Sequence, residues 1–275
     1  MFDKLMKKAR ETFLDHEEVR ASDPDLDVLF FFDPIAENIE EYFDAEVRGL
    51  DRVPDGAALM TGNHSGGVMT PDTFIFLREY YHHSNFEDGI VILAHSALFE
   101  SPIVRDVLKG GGAVPASRES AKNALGDGRK VLVYPGGDWE VHRPSSDRDK
   151  IDFGGRKGFV TLAMEADVPI VPFVAAGAHD GWYVLTRGEK LAKALLLDKL
   201  FRIKVFPIAF AAPMGVLVGP LSLYWPMPTK ILIEVLDPIY VDGDPSNPDD
   251  VDAAYEHVVE KMQQALTRLA DELRR

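Results

Sequence analysis

Two hydrophobic periodicities divide the chain. Short apolar runs bounded by Gly, Pro, Asn or Asp recur at 57–61, 89–94, 112–115, 130–134, 168–174, 204–210 and 230–236, with the length and β-branched content of buried strands. Between them apolar residues return at helical spacing over 71–81, 101–108, 118–125, 156–166 and 189–200. The clearest helix is the last, where Val251, Ala254, Tyr255, Val258, Val259, Met262, Leu266, Leu269 and Leu273 share one face. Strands alternating with helices predict an α/β fold with a largely parallel central sheet flanked by helices. Prolines within "ADVPIVPFVAAGAHD" predict an edge position or irregular pairing for the strand over 168–174.

Length and charge narrow this picture. The 275 residues suit one α/β domain, taken as 49–275, behind an N-terminal helical segment, 1–48. No repeat or low-complexity stretch interrupts it. The chain has no cysteine, which removes disulfides, thiolate metal sites and a cysteine nucleophile, and suits a reducing compartment. The net charge of -15 repels a phosphate backbone and argues against nucleic acid as a partner. "MFDKLMKKARETF" lacks the apolar core of a signal peptide, so a cytoplasmic protein is expected.

Two segments depart from the acidic average. Lys4, Lys7, Lys8 and Arg10 alternate with Phe2, Leu5, Met6, Ala9 and Phe13, and Arg187, Lys190, Lys193, Lys199, Arg202 and Lys204 surround a leucine-rich face. Basic amphipathic helices attach proteins to membranes in the plane of the interface, although each also reads as an ordinary helix packed on a core. The stretch from Phe206 to Thr229 carries no charge, but Pro207, Pro213, Pro220, Pro226 and Pro228 would break a spanning helix. It reads either as buried strands and turns or as an apolar surface. Together these segments predict peripheral contact with a membrane surface.

Candidate chemistry centres on "TGNHSGGVMTPD", residues 61–72. His64 falls in the glycine-rich connection after a strand, where open α/β sheets put their ligands. Thr70 is the expected N-cap of the next helix, with Pro71 at its first position and Asp72 in its first turn. His64 as general base with Asp72 as its orienting carboxylate is one reading. A hydrogen-bonded structural histidine and an aspartate complementing the helix dipole is the other. No metal site is expected, because His64 has no partner at ligand spacing. Ser65 lies outside a G-x-S-x-G elbow. In "GGGAVPASRESAKNAL", Arg118 opens a helix, where a cation opposes the dipole unless it joins the free amides in holding an anion. "KVLVYPGGDWEVHRP" ends another strand in a Pro-Gly-Gly turn followed by Asp138, Glu140, His142 and Arg143, which are site candidates.

The order of these blocks resembles the lysophospholipid (glycerolipid) acyltransferase superfamily, specifically its monoacylglycerol and diacylglycerol acyltransferase-like branch. "NHSGG" with Asp72 stands at the family's H-x4-D motif, "GAVPASRESA" at its second block and "YPGGDWE" at its third. "GRKGFVTLAMEADVPIVPFVAAG" is similar to its last. The resemblance implies a glycerol-3-phosphate acyltransferase-like fold and transfer of a fatty acyl group from acyl-CoA, as co-substrate without other cofactor, to a hydroxyl of a glycerolipid or other lipid acceptor. His64 and Asp72 would be catalytic. Substrate contacts would come from Asn63, Ser65, Gly66 and Gly67, from Arg118, from Pro135, Gly136, Gly137, Glu140 and Arg143, and from Lys157. Asp72 follows His64 by eight positions where the family has five, which requires a longer or bulged loop. Gly136 replaces the usual glutamate of phosphate-ester acyltransferases and shifts the matching acid to Glu140. An acyl hydrolase or thioesterase using the same histidine, and a degenerate lipid-binding protein, are the competing readings. The sequence indicates no oligomeric state.

Overall fold

The computed structural model describes residues 23–197, 204–219 and 224–275. In chain order the elements are α1 (Leu26–Tyr42), β1 (Glu46–Arg48), β2 (Leu59–Gly62), α2 (Pro71–His83), β3 (Ile90–Ala94), α3 (Pro102–Gly110), β4 (Ala113–Pro115), α4 (Arg118–Gly126) and β5 (Lys130–Val133). There follow α5 (Gly137–Val141), α6 (Gly158–Ala166), β6 (Ile170–Ala176), β7 (Tyr183–Thr186), α7 (Glu189–Ala194), β8 (Ile208–Ala211), β9 (Gly215–Val218), β10 (Leu232–Val235) and α8 (Pro248–Leu273).

A seven-stranded sheet runs in the order β1-β10-β6-β2-β5-β3-β4. Its strands β6, β2, β5, β3 and β4 are mutually parallel, whereas β10 is antiparallel to β6 and β1 runs with β10. Successive strand residues point to opposite faces, and here both faces are buried, which is why the strands read as continuous apolar runs. Along β6, Ile170, Val174 and Ala176 pack with α4, α6 and α8, while Val171, Phe173 and Ala175 pack with α2 and Phe43. The central strand β2 has β5, β3 and β4 on one side and β6, β10 and β1 on the other. Connections therefore diverge around its carboxyl end, the usual ligand position in such sheets.

Several expectations are corrected. The strand with prolines is not at an edge, since β6 lies between β10 and β2, but its pairing is irregular, as the other alternative expected. The Pro172 carbonyl accepts from Leu236 N, and Ile170 exchanges both backbone bonds with Ile239. Phe173 pairs with Val235 but Ile170 with Ile239, so β6's partner bulges by one residue where Pro172 offers no N–H. Ahead of residue 49, β1 pairs with β10 and Phe43 enters the core. The expected strand over 204–210 is shorter and lies in a second, antiparallel sheet, β7-β8-β9. Of the expected helix over 189–200, α7 covers Glu189–Ala194. Lys199, Arg202 and the segment from Lys4 to Arg10 lie outside the described residues. Among those residues, no helix is long and apolar enough to cross a membrane.

Candidate active site

His64 stands just past the end of β2, and three sets of contacts fix it. Its ring stacks on Tyr134 at the end of β5, with centroids 3.7 Å apart and planes 8° from parallel. Tyr134 Oη in turn accepts from Thr73 Oγ1 at 2.9 Å. Burial pushes the Tyr134 phenol well above its ordinary value, which keeps it neutral. Gly62 is required beneath this stack, since a Cβ there would lie 2.2 Å from the Phe173 ring and 2.7 Å from Tyr134.

The second set brings Asp72 back to His64. Gly66 and Gly67 adopt φ of 86° and 65°, a 3-10 turn follows over Gly67–Met69, and Thr70 is also left-handed at φ 38°. These left-handed residues take up the extra length of the loop. The result is a fully buried Asp72 whose Oδ2 accepts from Ser65 N at 3.0 Å and lies 3.8 Å from His64 Nδ1. That separation is electrostatic contact, short of a hydrogen bond. Both His64 Nδ1 and Asp72 Oδ1 are buried without another partner. Thr70 makes no side-chain cap, contrary to expectation, because its left-handed backbone serves the turn instead. Pro71 and Asp72 occupy their expected helical positions.

The third set grips the His64 backbone from behind. Glu140 Oε2 accepts from His64 N at 2.9 Å, and Arg143 Nη2 donates to His64 O at 2.9 Å. The two side chains pair with each other at 3.1 Å, and both are fully buried. Burial pushes the Glu140 carboxyl up to about 7, against the opposing pull of Arg143. The Arg143 carbonyl accepts from His179 Nε2 at 2.9 Å, and burial brings His179 down to about 3, so it is a neutral donor. Glu140 and Arg143 were expected to contact substrate, but full burial makes them supports of the loop that carries His64.

Gly136 explains the shifted acid. A Cβ there would fall 2.4 Å from Glu140 Cβ and 2.6 Å from its Oε2, so the Glu140 side chain occupies the space that a residue at 136 would need. Gly136→Ala is expected to cost about 1–3 kcal/mol through overpacking, read as a lower urea midpoint at unchanged slope. An unchanged midpoint would show that Glu140 can step aside.

Other expected contacts have different occupations. Asn63 is fully buried and continues the β2–β6 ladder with its side chain, donating to Ala175 O at 3.0 Å and accepting from Ala175 N at 2.8 Å. Ser65 Oγ accepts from His179 N at 3.1 Å, which ties down the only hydroxyl adjacent to His64 in sequence. Pro135 and Gly136 offer their carbonyls to Arg156 Nη1, and Gly137 N donates to Tyr134 O. Arg118 pairs with Glu165 of α6, and Ser117 caps α4 by accepting from Ser120 N. Glu165 thus compensates the cation at the helix start. Lys157 pairs with Asp252 of α8 at 2.5 Å and lies over the Tyr255 ring, turned onto that helix.

Three contributors escaped the sequence reading. Tyr134 and Arg156 stood inside quoted blocks without a signal for their roles. Tyr224 donates to Gly66 O at 2.6 Å from 158 residues away, a relation that no local pattern carries.

Comparison with known proteins shows what the chain is similar to. The acyltransferase family model matches residues 44–176. An uncharacterised protein of Mycobacterium tuberculosis is 30% identical over 235 residues, 84% of this chain and 63% of the relative. A Mus musculus protein described as a DGAT1/2-independent enzyme synthesizing storage lipids is 29% identical over 230 residues, 84% of this chain and 60% of the relative. The chain spans about three fifths of the length of these curated relatives. Among solved structures, the 1-acyl-sn-glycerophosphate (LPA) acyltransferase PlsC from Thermotoga maritima shares the fold, with a TM-score of 0.53 at 14% identity over 98% of this chain and 88% of that one. Residues 44–176 match the acyltransferase family model, and the chain is similar in sequence to the mouse storage-lipid enzyme and in fold to the PlsC acyltransferase.

Proposed function

We propose that the protein transfers a fatty acyl group from an acyl-CoA thioester to a hydroxyl of a glycerolipid, with His64 as general base. The observation that carries this reading is the buried Asp72 carboxylate 3.8 Å from His64 Nδ1. With Nδ1 directed at Asp72, Nε2 is the nitrogen left for a substrate proton. An alcohol is a poor nucleophile until that proton has an acceptor. As its oxygen bonds the thioester carbonyl, the proton passes to Nε2, and Asp72 stabilises the imidazolium. Collapse of the tetrahedral intermediate breaks the C–S bond, and the departing thiolate takes the proton back. A thiolate leaves readily, its conjugate acid having a pKa of about 8.5.

The oxyanion needs N–H donors. Ser65 N is committed to Asp72 and Gly137 N to Tyr134 O, which leaves the amides of Gly66, Gly67 and Gly136 as candidates for this role. Return of the displaced aspartate to His64 removes the main reason for a degenerate, purely lipid-binding site. The mouse relative's description as a storage-lipid enzyme supports mono- or diacylglycerol as acceptor class.

The test is incubation of purified protein with labelled acyl-CoA and a panel of lysophospholipids, monoacylglycerols, diacylglycerols and glycolipids. Label is expected in a glycerolipid product, with thiol release that depends on the acceptor. Equal thiol release without acceptor would instead identify a thioesterase, and no turnover with any donor would sink both.

A further inference from the structure

We propose that the outer face of the small sheet β7-β8-β9 docks on a lipid bilayer and holds the His64 loop at the lipid boundary. The choice of lipid as partner rests on the acyl-transfer reading, whereas the surface is read from the fold alone. Register puts Tyr183 opposite Phe210, Phe210 opposite Val216, and Ile208 opposite Val218. These residues therefore share one face. Tyr183, Phe210, Val216 and Val218 are exposed, Val216 at 68%. The other face, with Val184, Ala209 and Ala211, is buried against Trp182, Tyr224 and the loop residues Val68 and Met69. An antiparallel sheet with one face in water ordinarily alternates apolar with polar residues. This one is apolar on both faces.

Its surroundings favour a bilayer over other apolar partners. The hairpin turn between β8 and β9 exposes Met214, and Trp225, 62% exposed, donates its backbone N–H to Met214 Sδ. Trp225 Nε1 donates to Tyr42 Oη at 3.1 Å, so the rim carries aromatic rings with polar tips, the composition of a lipid–water interface. β7, β8 and β9 contain no charged residue. Beside them α7 exposes Lys190 and Lys193 against the single acid Glu189, and Lys204 precedes β8. A locally basic collar in a chain of net charge -15 is complementary to anionic headgroups. The face is continuous with the site, because the same sheet packs on Val68 and Met69 and Tyr224 holds Gly66.

The test is flotation of the full chain with phosphatidylcholine vesicles, with and without phosphatidylglycerol. The unmodified protein is expected to float, more strongly with the anionic lipid. Phe210→Glu with Val216→Glu should lower vesicle partitioning by about tenfold or more, with a melting temperature near that of the parent. A second measurement needs no change to the sheet: Trp225 emission should shift to the blue on vesicles and be quenched by brominated lipid, and Trp225→Phe should remove both effects. Failure of the unmodified protein to float, flotation that survives the double substitution, or unquenched Trp225 would overturn the proposal. So would a lipid-free dimer that the double substitution dissociates, which would assign the face to a second copy of the chain. Flotation needs no turnover, so His64→Ala should float like its parent even if acyl transfer is never observed.

Discussion

Replacing His64 with alanine is expected to lower acyl transfer by about 10²–10⁴-fold, the usual contribution of a positioned general base, without loss of the fold. The reason for the second half is specific. Glu140 and Arg143 hold His64 through its backbone N–H and carbonyl, and alanine retains both. The stack on Tyr134 and the electrostatic contact with Asp72 are lost. Turnover with labelled acyl donor and a thermal melt, measured on one preparation, test both halves. A folded variant retaining a tenth of parental turnover would remove His64 from the chemistry. Asp72→Asn is expected to be milder, since the amide oxygen can still accept from Ser65 N while the orientation and stabilisation of the imidazolium are lost. Equal turnover in Asp72→Asn and the parent would mean that another group orients His64.

The fold was legible wherever burial is two-sided. β2, β3, β5 and β6 are covered on both faces, so each is a short apolar run between turn residues, and α8 presents one clean stripe. β7, β8 and β9 were less legible for a related reason. Both faces of that sheet are apolar, which erases the two-residue alternation and leaves an uncharged stretch interrupted by prolines. Within the site, His64 was legible because the end of a central strand is a position that sequence can mark. The route by which Asp72 returns was hidden, because it depends on the left-handed backbone at Gly66, Gly67 and Thr70, and a threonine does not advertise that conformation. Asn63, Glu140 and Arg143 were legible as residues of interest, but their direction was not. Each binds backbone groups at long range, Asn63 across the sheet to Ala175 and the other two across 76 and 79 residues to His64. Arg118 shows the same limit: the charge that compensates it comes from Glu165, 47 residues later.

The pair behind His64 yields the largest expected stability effect. Arg143→Met keeps most of the buried stem but removes the guanidinium that pairs with Glu140 at 3.1 Å, donates to Lys150 O at 3.0 Å and holds His64 O. Removing one partner of a buried ion pair typically costs about 3–5 kcal/mol, and the loss should depend on pH. Burial raises the Glu140 carboxyl from 4.5 to about 7, so between these values the folded state binds more protons than the unfolded state. Its contribution to stability is therefore full below about 4.5 and declines as pH rises through about 7, at no more than about 1.4 kcal/mol per pH unit for one proton. Arg143 is the main group opposing that rise. Without it the folded-state value climbs further and the decline continues to higher pH. Urea unfolding should therefore find the deficit of Arg143→Met larger at pH 8 than at pH 5. Adding Glu140→Gln, which removes the charge but keeps an acceptor for His64 N, should restore part of the loss at pH 8 and little at pH 5. A deficit equal at the two pH values, or one that the second substitution deepens at pH 8, would show that Arg143 stabilises the loop through its bonds to Lys150 and His64 alone, with the Glu140 charge playing no part.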